Sequence, residues 1–381
     1  PHWQGVVLRK MQMLIAKLNV VDTRKEKEFD FYVNLEKTIA EGALFNTEIY
    51  HFQLKLGKAI TEGWVIQTQE DKEQFVSWLD FKILSIDNTH LPLTTFIYWA
   101  KVRTAAYRTL MDYEKAFQSQ LSLVKKLDSN IEQFKTQKPV LLYSEQLDLA
   151  DLCYRTGRIT FAEEQLLLVE EYIQLINDNN EYRLASIMNL KCNIAYRHYS
   201  NQVLSQQIDV LNETYIQQFE TAPALQVPII IGTLLKSSLK LGNLTLIDYW
   251  YERIKSANEK VRRNNIFIIH IIYACRAYMA CNPQFNINYM ELGPEYIARI
   301  LYIKNYVRGN KQELLLEKMI VSAFEELIEQ KRREEHIAIF KGLLKSLGEL
   351  PFNGYIYQEQ IYEIFDIRNW IIEQITRLKK V

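Results

Sequence analysis

The stretch from Leu147 to Glu164 limits what this chain can fold into more than any other, because it spells one helix, a glycine stop and the start of a second helix. Gly157 is the residue type that enters the left-handed conformation closing many helices without a side-chain clash. Before it, Leu147, Ala150 and Tyr154 share one helical face. After it, Ile159, Ala162, Leu166, Val169, Ile173 and Ile176 recur in steps of three and four, which lays an apolar stripe along one side of a helix. Thr160 followed by Glu163 has the capping-box form, hydroxyl and carboxylate meeting backbone donors left open at a helix start. The result is a tight helical hairpin whose stripe demands further helices to pack on.

Two other regions overlay this unit. Tyr107, Tyr113 and Ala116 match Cys153, Ile159 and Ala162, while Leu235, Gly242, Leu244 and Ile247 match Ala150, Gly157, Ile159 and Ala162. A fourth, weaker copy surrounds Tyr302, Gly309 and the helix beginning near Lys311. Small residue, aromatic, glycine, aromatic and alanine at these offsets resembles the tetratricopeptide repeat and its degenerate relatives. That family's period is 34 residues, whereas Ala116 and Ala162 are 46 apart (162 − 116) and Ala162 and Ile247 are 85 apart (247 − 162), so longer linking helices are expected. The resemblance implies an all-α fold, a right-handed superhelix of antiparallel helix pairs in a TPR-like α-solenoid.

Composition points the same way. Twelve glycines and eight prolines in 381 residues leave few breakers for strands or long loops. A stack of helix pairs also lets a core lengthen without thickening, which suits a chain of this size. Basic and acidic side chains balance at 46 each, removing the long-range field on which general nucleic-acid and anionic-membrane binders rely. The basic run Lys331-Arg332-Arg333 is followed by Glu334-Glu335 and reads as a solvated helix face. Cys153, Cys192, Cys275 and Cys281 have neither zinc-ligand nor redox spacing and read as reduced, buried thiols. No secretory signal stands at the start, and the most apolar run, Ile266 to Ala280, contains His270 and Arg276 and reads as a buried helix. A cytoplasmic setting follows as the expectation, with the Asn212 and Asn243 glycosylation-like triplets as chance matches. The chain opens on Pro1 with helix-like sequence at once, and is expected to be a fragment lacking upstream residues.

Periodicity and breakers predict helices near 3–20, 24–41, 46–61 and 70–86, then a break at His90-Leu91-Pro92. Beyond it the expected helices are 93–110, 113–134, 138–156, 160–177, 181–200, 203–219, 226–241, 244–262, 264–281, 294–307, 311–330, 332–347 and 356–379. Residues 1–91 therefore form an N-terminal helical segment, and 92–381 the TPR-like helical repeats, continuous with it.

Catalytic signatures are missing from the sequence: no phosphate-cradling loop, dinucleotide fingerprint, nucleophile elbow or His-Glu-x-x-His motif occurs. Ser-x-x-Lys occurs twice, at Ser122/Lys125 and Ser237/Lys240, without companion motifs. His198 reads as a helix-surface or interface histidine, and Glu334, Glu335 and His336 cannot converge on one site without partners from another helix, since adjacent helix positions point in different directions. Neither a metal nor a cofactor is expected, and the chain reads as not an enzyme.

One polar stripe stands out. Ser186, Asn189, Asn193 and Arg197 follow three- and four-residue steps on one helix, with Lys236 and Lys240 on the next first helix and Arg103 and Tyr107 on an earlier one. Arginine grips carboxylates through paired hydrogen bonds, and asparagine offers a peptide strand both donor and acceptor. In the family that the repeats resemble, first helices line a concave groove whose asparagines and basic residues clamp peptides, which implies that role for Asn189, Asn193 and Arg197. The alternative reading of the stripe is a solvated face or a polar network between helices. The expected function is a non-enzymatic scaffold binding a peptide or protein, with no nucleic-acid or membrane partner. The alternative is a peptide- or effector-responsive regulatory sensor controlling an attached module.

Overall fold

The computed structural model describes residues 33–34, 37, 44–58, 66, 68–78, 84, 91–175, 181–216, 227–256, 263–280, 292–309, 315–349 and 366–380. Among them about 90% are helical and none lies in a strand, as the repeat pattern and the shortage of breakers require. Sixteen helices are delimited among the described residues: α1 (44–58), α2 (Gln69–Trp78), α3 (Leu93–Thr109), α4 (Tyr113–Asp128), α5 (Ile131–Gln137), α6 (Pro139–Arg155), α7 (Ile159–Leu175) and α8 (Glu181–His198), followed by α9 (Asn201–Ile216), α10 (Val227–Leu241), α11 (Leu244–Ser256), α12 (Arg263–Ala280), α13 (Pro294–Arg308), α14 (Leu315–Glu329), α15 (Arg333–Gly348) and α16 (Ile367–Lys380). Most of the helices expected before residue 44 lie outside the described residues, as do Cys281 and the connection at Asn282-Pro283.

One expected helix is broken in two. The span 113–134 divides where Asn130 Nδ2 takes the Lys126 carbonyl at 2.9 Å and the Asn130 N–H turns to the Leu127 carbonyl at 2.9 Å, ending α4 before α5 begins. Short polar side chains compete in this way with the helical ladder.

The helix stop shared by three stretches of the sequence recurs in the backbone. Met111, Gly157 and Gly242 are the described residues with positive φ, at 56°, 76° and 72°. Each closes its helix with the same pair of bonds. The residue itself donates three positions back, to Arg108, Tyr154 and Leu239 at 3.0, 3.1 and 3.1 Å. The next residue donates five back, to Tyr107, Cys153 and Ser238 at 2.9, 2.8 and 2.8 Å. This double bond pattern satisfies carbonyls that a helix end leaves open. Five residues after each turn sits a fully buried position, Ala116, Ala162 or Ile247. The glycine missing from the first copy is thus replaced by Met111, held in a conformation unusual for a side-chain-bearing residue. Gly309 does not share this geometry, since its φ is −80°. Thr160 falls inside α7, whose first residue is Ile159, so it is not the cap expected; Asp112 and Asn243 cap the matching starts of α4 and α11, accepting from Lys115 and Leu246 at 3.2 and 3.1 Å.

The described residues group into two compact units, one drawn from Pro1–Glu62 and Glu73–Leu152, the other from Gly63–Lys72 and Cys153–Val381. In the first, α3 and α4 form the main antiparallel pair over Trp99, Ala100, Ala106, Ala116 and Leu123. Asn46 of α1 donates to Thr95 at 3.2 Å. Glu145, almost wholly buried, is held by Lys101 at 2.6 Å and by Gln120 at 3.0 Å.

In the second unit neighbouring helices pack pairwise: α8 with α9, α10 with α11, α12 with α13, and α14 with α15. The first helices of successive pairs also touch, since α10 packs on both α8 and α12. Every residue of α10 from Ile230 to Leu239 is buried, so this helix is enclosed on all sides. Towards the C-terminus an aromatic cluster joins five helices: the Tyr278 ring lies 5.4–6.0 Å from those of Tyr296, His336, Phe340 and Trp370, and Phe324 lies 5.8 Å from Trp370. Such pairs add to the large area that buried aromatic rings remove from water.

A candidate recognition face on two stacked first helices

α8 carries Ser186, Asn189, Asn193 and Arg197 on one side, and α10 meets it through Thr233, Lys236 and Lys240. Asn193 is the joint between them. Its Nδ2 donates to the Asn189 carbonyl at 2.9 Å, and its Oδ1 accepts from Lys236 Nζ at 2.5 Å and Thr233 Oγ1 at 3.5 Å. Lys236 is only 3% exposed. A lysine charge that deep is sustained by partners, here the amide oxygen and the Tyr196 ring 5.1 Å away. Lys240, one turn on, is exposed, lies 4.7 Å from the same ring and donates to the Tyr196 carbonyl.

The pattern repeats one helix earlier. The Arg197 guanidinium, at the exposed end of α8, sits 5.4 Å from the Tyr154 ring, as Lys240 of α10 sits over Tyr196 of α8. Each cation stands at the C-terminal end of its helix, where the helix dipole favours positive charge. Burial pushes the Tyr196 phenol well above the usual range, and Asp366 at the head of α16 donates its backbone N–H to the phenol oxygen. Glu373 of α16 lies within electrostatic reach of Lys240, and burial raises its carboxyl despite that cation. The C-terminal helix therefore borders this face.

Four of the residues expected to bind, Asn189, Asn193, Lys236 and Lys240, come together here, with Arg197 beside them and Ser186 half-buried further back along α8. Their roles divide. Asn193 and Lys236 bond to each other in the interior, the network alternative to a ligand contact. Lys240 and Arg197 remain at the surface, whereas Asn189 Oδ1 is buried without a hydrogen-bond partner. Arg103 and Tyr107 belong to the first unit, on α3, where the guanidinium lies 4.8 Å from the Trp99 ring and 5.6 Å from that of Tyr107. The central residue that the sequence reading passed over is Tyr196. Its spacing of three from Asn193 was the available signal.

Other sequence candidates have structural roles. Ser237 is fully buried while Lys240 turns to Tyr196, so the Ser-x-x-Lys pair does not converge. Glu335 accepts from the Arg332 backbone at 3.0 Å as a helix cap, and His336 is buried against Tyr278, Nδ1 3.0 Å from the phenol. Cys153, Cys192 and Cys275 are free and buried, and burial pushes the Cys192 thiol up to about 12, far from a reactive thiolate. His198 is exposed, with its pKa lowered by partial burial and by Arg197.

Among the described residues no group of His, Cys, Asp and Glu is placed to hold a metal ion, and no helix is long and apolar enough to cross a membrane. Comparison with protein-family models, with curated proteins and with solved structures finds no match.

Proposed function

We propose that this chain is a non-enzymatic helical-repeat scaffold of the tetratricopeptide-like kind, which binds a peptide or protein on the face formed by successive first helices. The observation that carries the reading is the cation-over-tyrosine ladder on α6, α8 and α10, bonded through Asn193 and Lys236 and edged by the surface cations Arg197 and Lys240. In this reading Asn193 and Lys236 hold the helices in register, while Asn189, Arg197, Lys240 and Ser186 meet the ligand. Arg103 and Tyr107 of the first unit repeat the chemistry on α3. The pairs of the second unit follow the right-handed superhelical sense that the resemblance implies, and the setting is cytoplasmic, in keeping with the free thiols.

The test is affinity capture from the source organism with the native chain and with the double variant Asn189→Ala/Arg197→Ala. Capture of the specific partner falls by about tenfold or more, a loss of about 1.4 kcal/mol, while helicity and melting temperature stay within a few degrees of the parent. Undiminished capture removes these residues from the site.

A further inference from the structure

A second surface lies on the α14–α15 pair, and its lining shares no residue with the recognition face. An open groove of about 560 Å³ runs between the two helices. Its floor is apolar, with Met319 and Ala323 from α14 and Ile339 and Leu343 from α15. It is open because the residues that would roof it are small: Ser322 on one side, and Ala338, Gly342 and Ser346 at four-residue steps on the other. Those three cover two helical turns, about 12 Å of groove.

Gly342 is the informative residue. It sits in the interior of α15, where glycine weakens a helix relative to alanine. No internal contact accounts for it, since a Cβ built there meets nothing within 4 Å. Its φ is not in the left-handed region either, so the backbone does not call for glycine. What remains is exposure of bare backbone along an apolar channel, the feature that lets another backbone approach closely.

The charged groups lining the channel are Glu326 and Glu335, joined by Gln330; Lys318, Lys341 and Lys345 of the same two helices do not line it. Glu335 keeps one oxygen on the Arg332 backbone at 3.0 Å, and Glu326 is exposed. An occupant thus meets an apolar floor along its length and carboxylates at one end. That is the complement of an amphipathic helix with an apolar stripe and a basic end, docked as a helix in a groove.

We propose that the α14–α15 groove is a docking site for a basic amphipathic helix of a partner protein, recognised by its apolar stripe against Met319 and Ala323 and by its cations at Glu326 and Glu335. The site is independent of the α8–α10 face, and either can fail without the other.

The test uses the full chain and two fluorescein-labelled synthetic helices with one leucine stripe, flanked by arginines in one and by glutamates in its twin, followed by fluorescence anisotropy. The arginine helix binds at least about tenfold more tightly than its twin at low salt, and this preference shrinks as salt rises. Gly342→Leu, whose Cβ meets nothing within 4 Å and whose side chain occupies the channel, weakens the arginine helix by about tenfold or more, and Glu326→Lys reverses the preference. Circular dichroism and melting confirm that both variants keep the fold. Equal binding of the twins, binding unchanged by Gly342→Leu, or absence of binding overturns the proposal. So does self-association of the chain that Gly342→Leu abolishes, because the occupant would then be a second copy.

Discussion

Acidification should weaken the second unit through His270, and the size of the effect follows from its surroundings. His270 is 5% exposed on α12, with Nδ1 2.7 Å from the Tyr251 phenol of α11. That phenol also accepts from the Arg299 guanidinium of α13, so its own O–H points at Nδ1 and the imidazole is neutral with its proton on Nε2. Burial and the Arg299 charge lower the folded pKa from 6.5 to about 4. Between those values the unfolded chain binds the proton and the folded chain does not. The contribution is therefore whole above 6.5, declines as the pH falls through the window, and is gone below 4. Its full size is about 3 kcal/mol, of which about 2 kcal/mol has been lost by pH 5. His270→Gln keeps an acceptor for the Tyr251 O–H but cannot titrate. Hydrogen exchange of α12 and urea unfolding, each at pH 7 and pH 5, report the difference. The variant is less stable at pH 7, and its further loss on going to pH 5 is smaller than the parent's by about 2 kcal/mol. Equal losses in parent and variant would refute the assignment. His336 acts in the same direction, being buried with its pKa lowered, so His270→Gln still retains some acid sensitivity.

Two glycines should respond to alanine with opposite signs. Gly157→Ala forces a Cβ into the left-handed region at φ 76° and costs about 1 kcal/mol, whereas Gly342→Ala, with open space around the new methyl, stabilises by about 0.5–1 kcal/mol. In a domain of this size each moves the melting temperature by about 2–4 °C per kcal/mol, and shifts of equal sign would contradict the backbone reading. Trp370→Ala, which empties the centre of the aromatic cluster, costs about 3–5 kcal/mol and erases much of the near-ultraviolet circular dichroism. A loss below about 1 kcal/mol would mean that α16 is not anchored there.

How much of this was legible in the sequence depends on the range of the interaction concerned. The turns at Gly157 and Gly242 could be read because a helix stop and the stripe beside it are local properties, and the matching buried positions Ala116, Ala162 and Ile247 were picked out by the same offsets. The face on α8 was legible only as a set of residues sharing one side of a helix. Periodicity reports which side chains look the same way; it does not report what they look at. Whether Asn193 meets a ligand or Lys236 is decided by α10, some forty residues on, and by the register in which α10 lies against α8. Tyr196 was passed over for the same reason, since an aromatic residue on a packed helix reads as core until Lys236 and Lys240 are found over its ring. That register begins in the turns, where the paired bonds three and five residues back set the direction in which the next helix leaves. Met111 shows how strongly the fold enforces this geometry. A non-glycine residue in the left-handed region costs about 1–2 kcal/mol, yet Met111 adopts it, because the alternative would turn the α4 stripe of Ala116, Leu123 and Leu127 away from α3. Burial of several such side chains, at about 1.5–3 kcal/mol for each large one, outweighs the local strain. The turn geometry therefore recurs even where its glycine does not, and a pattern search keyed to glycine places that stretch by its flanking residues alone.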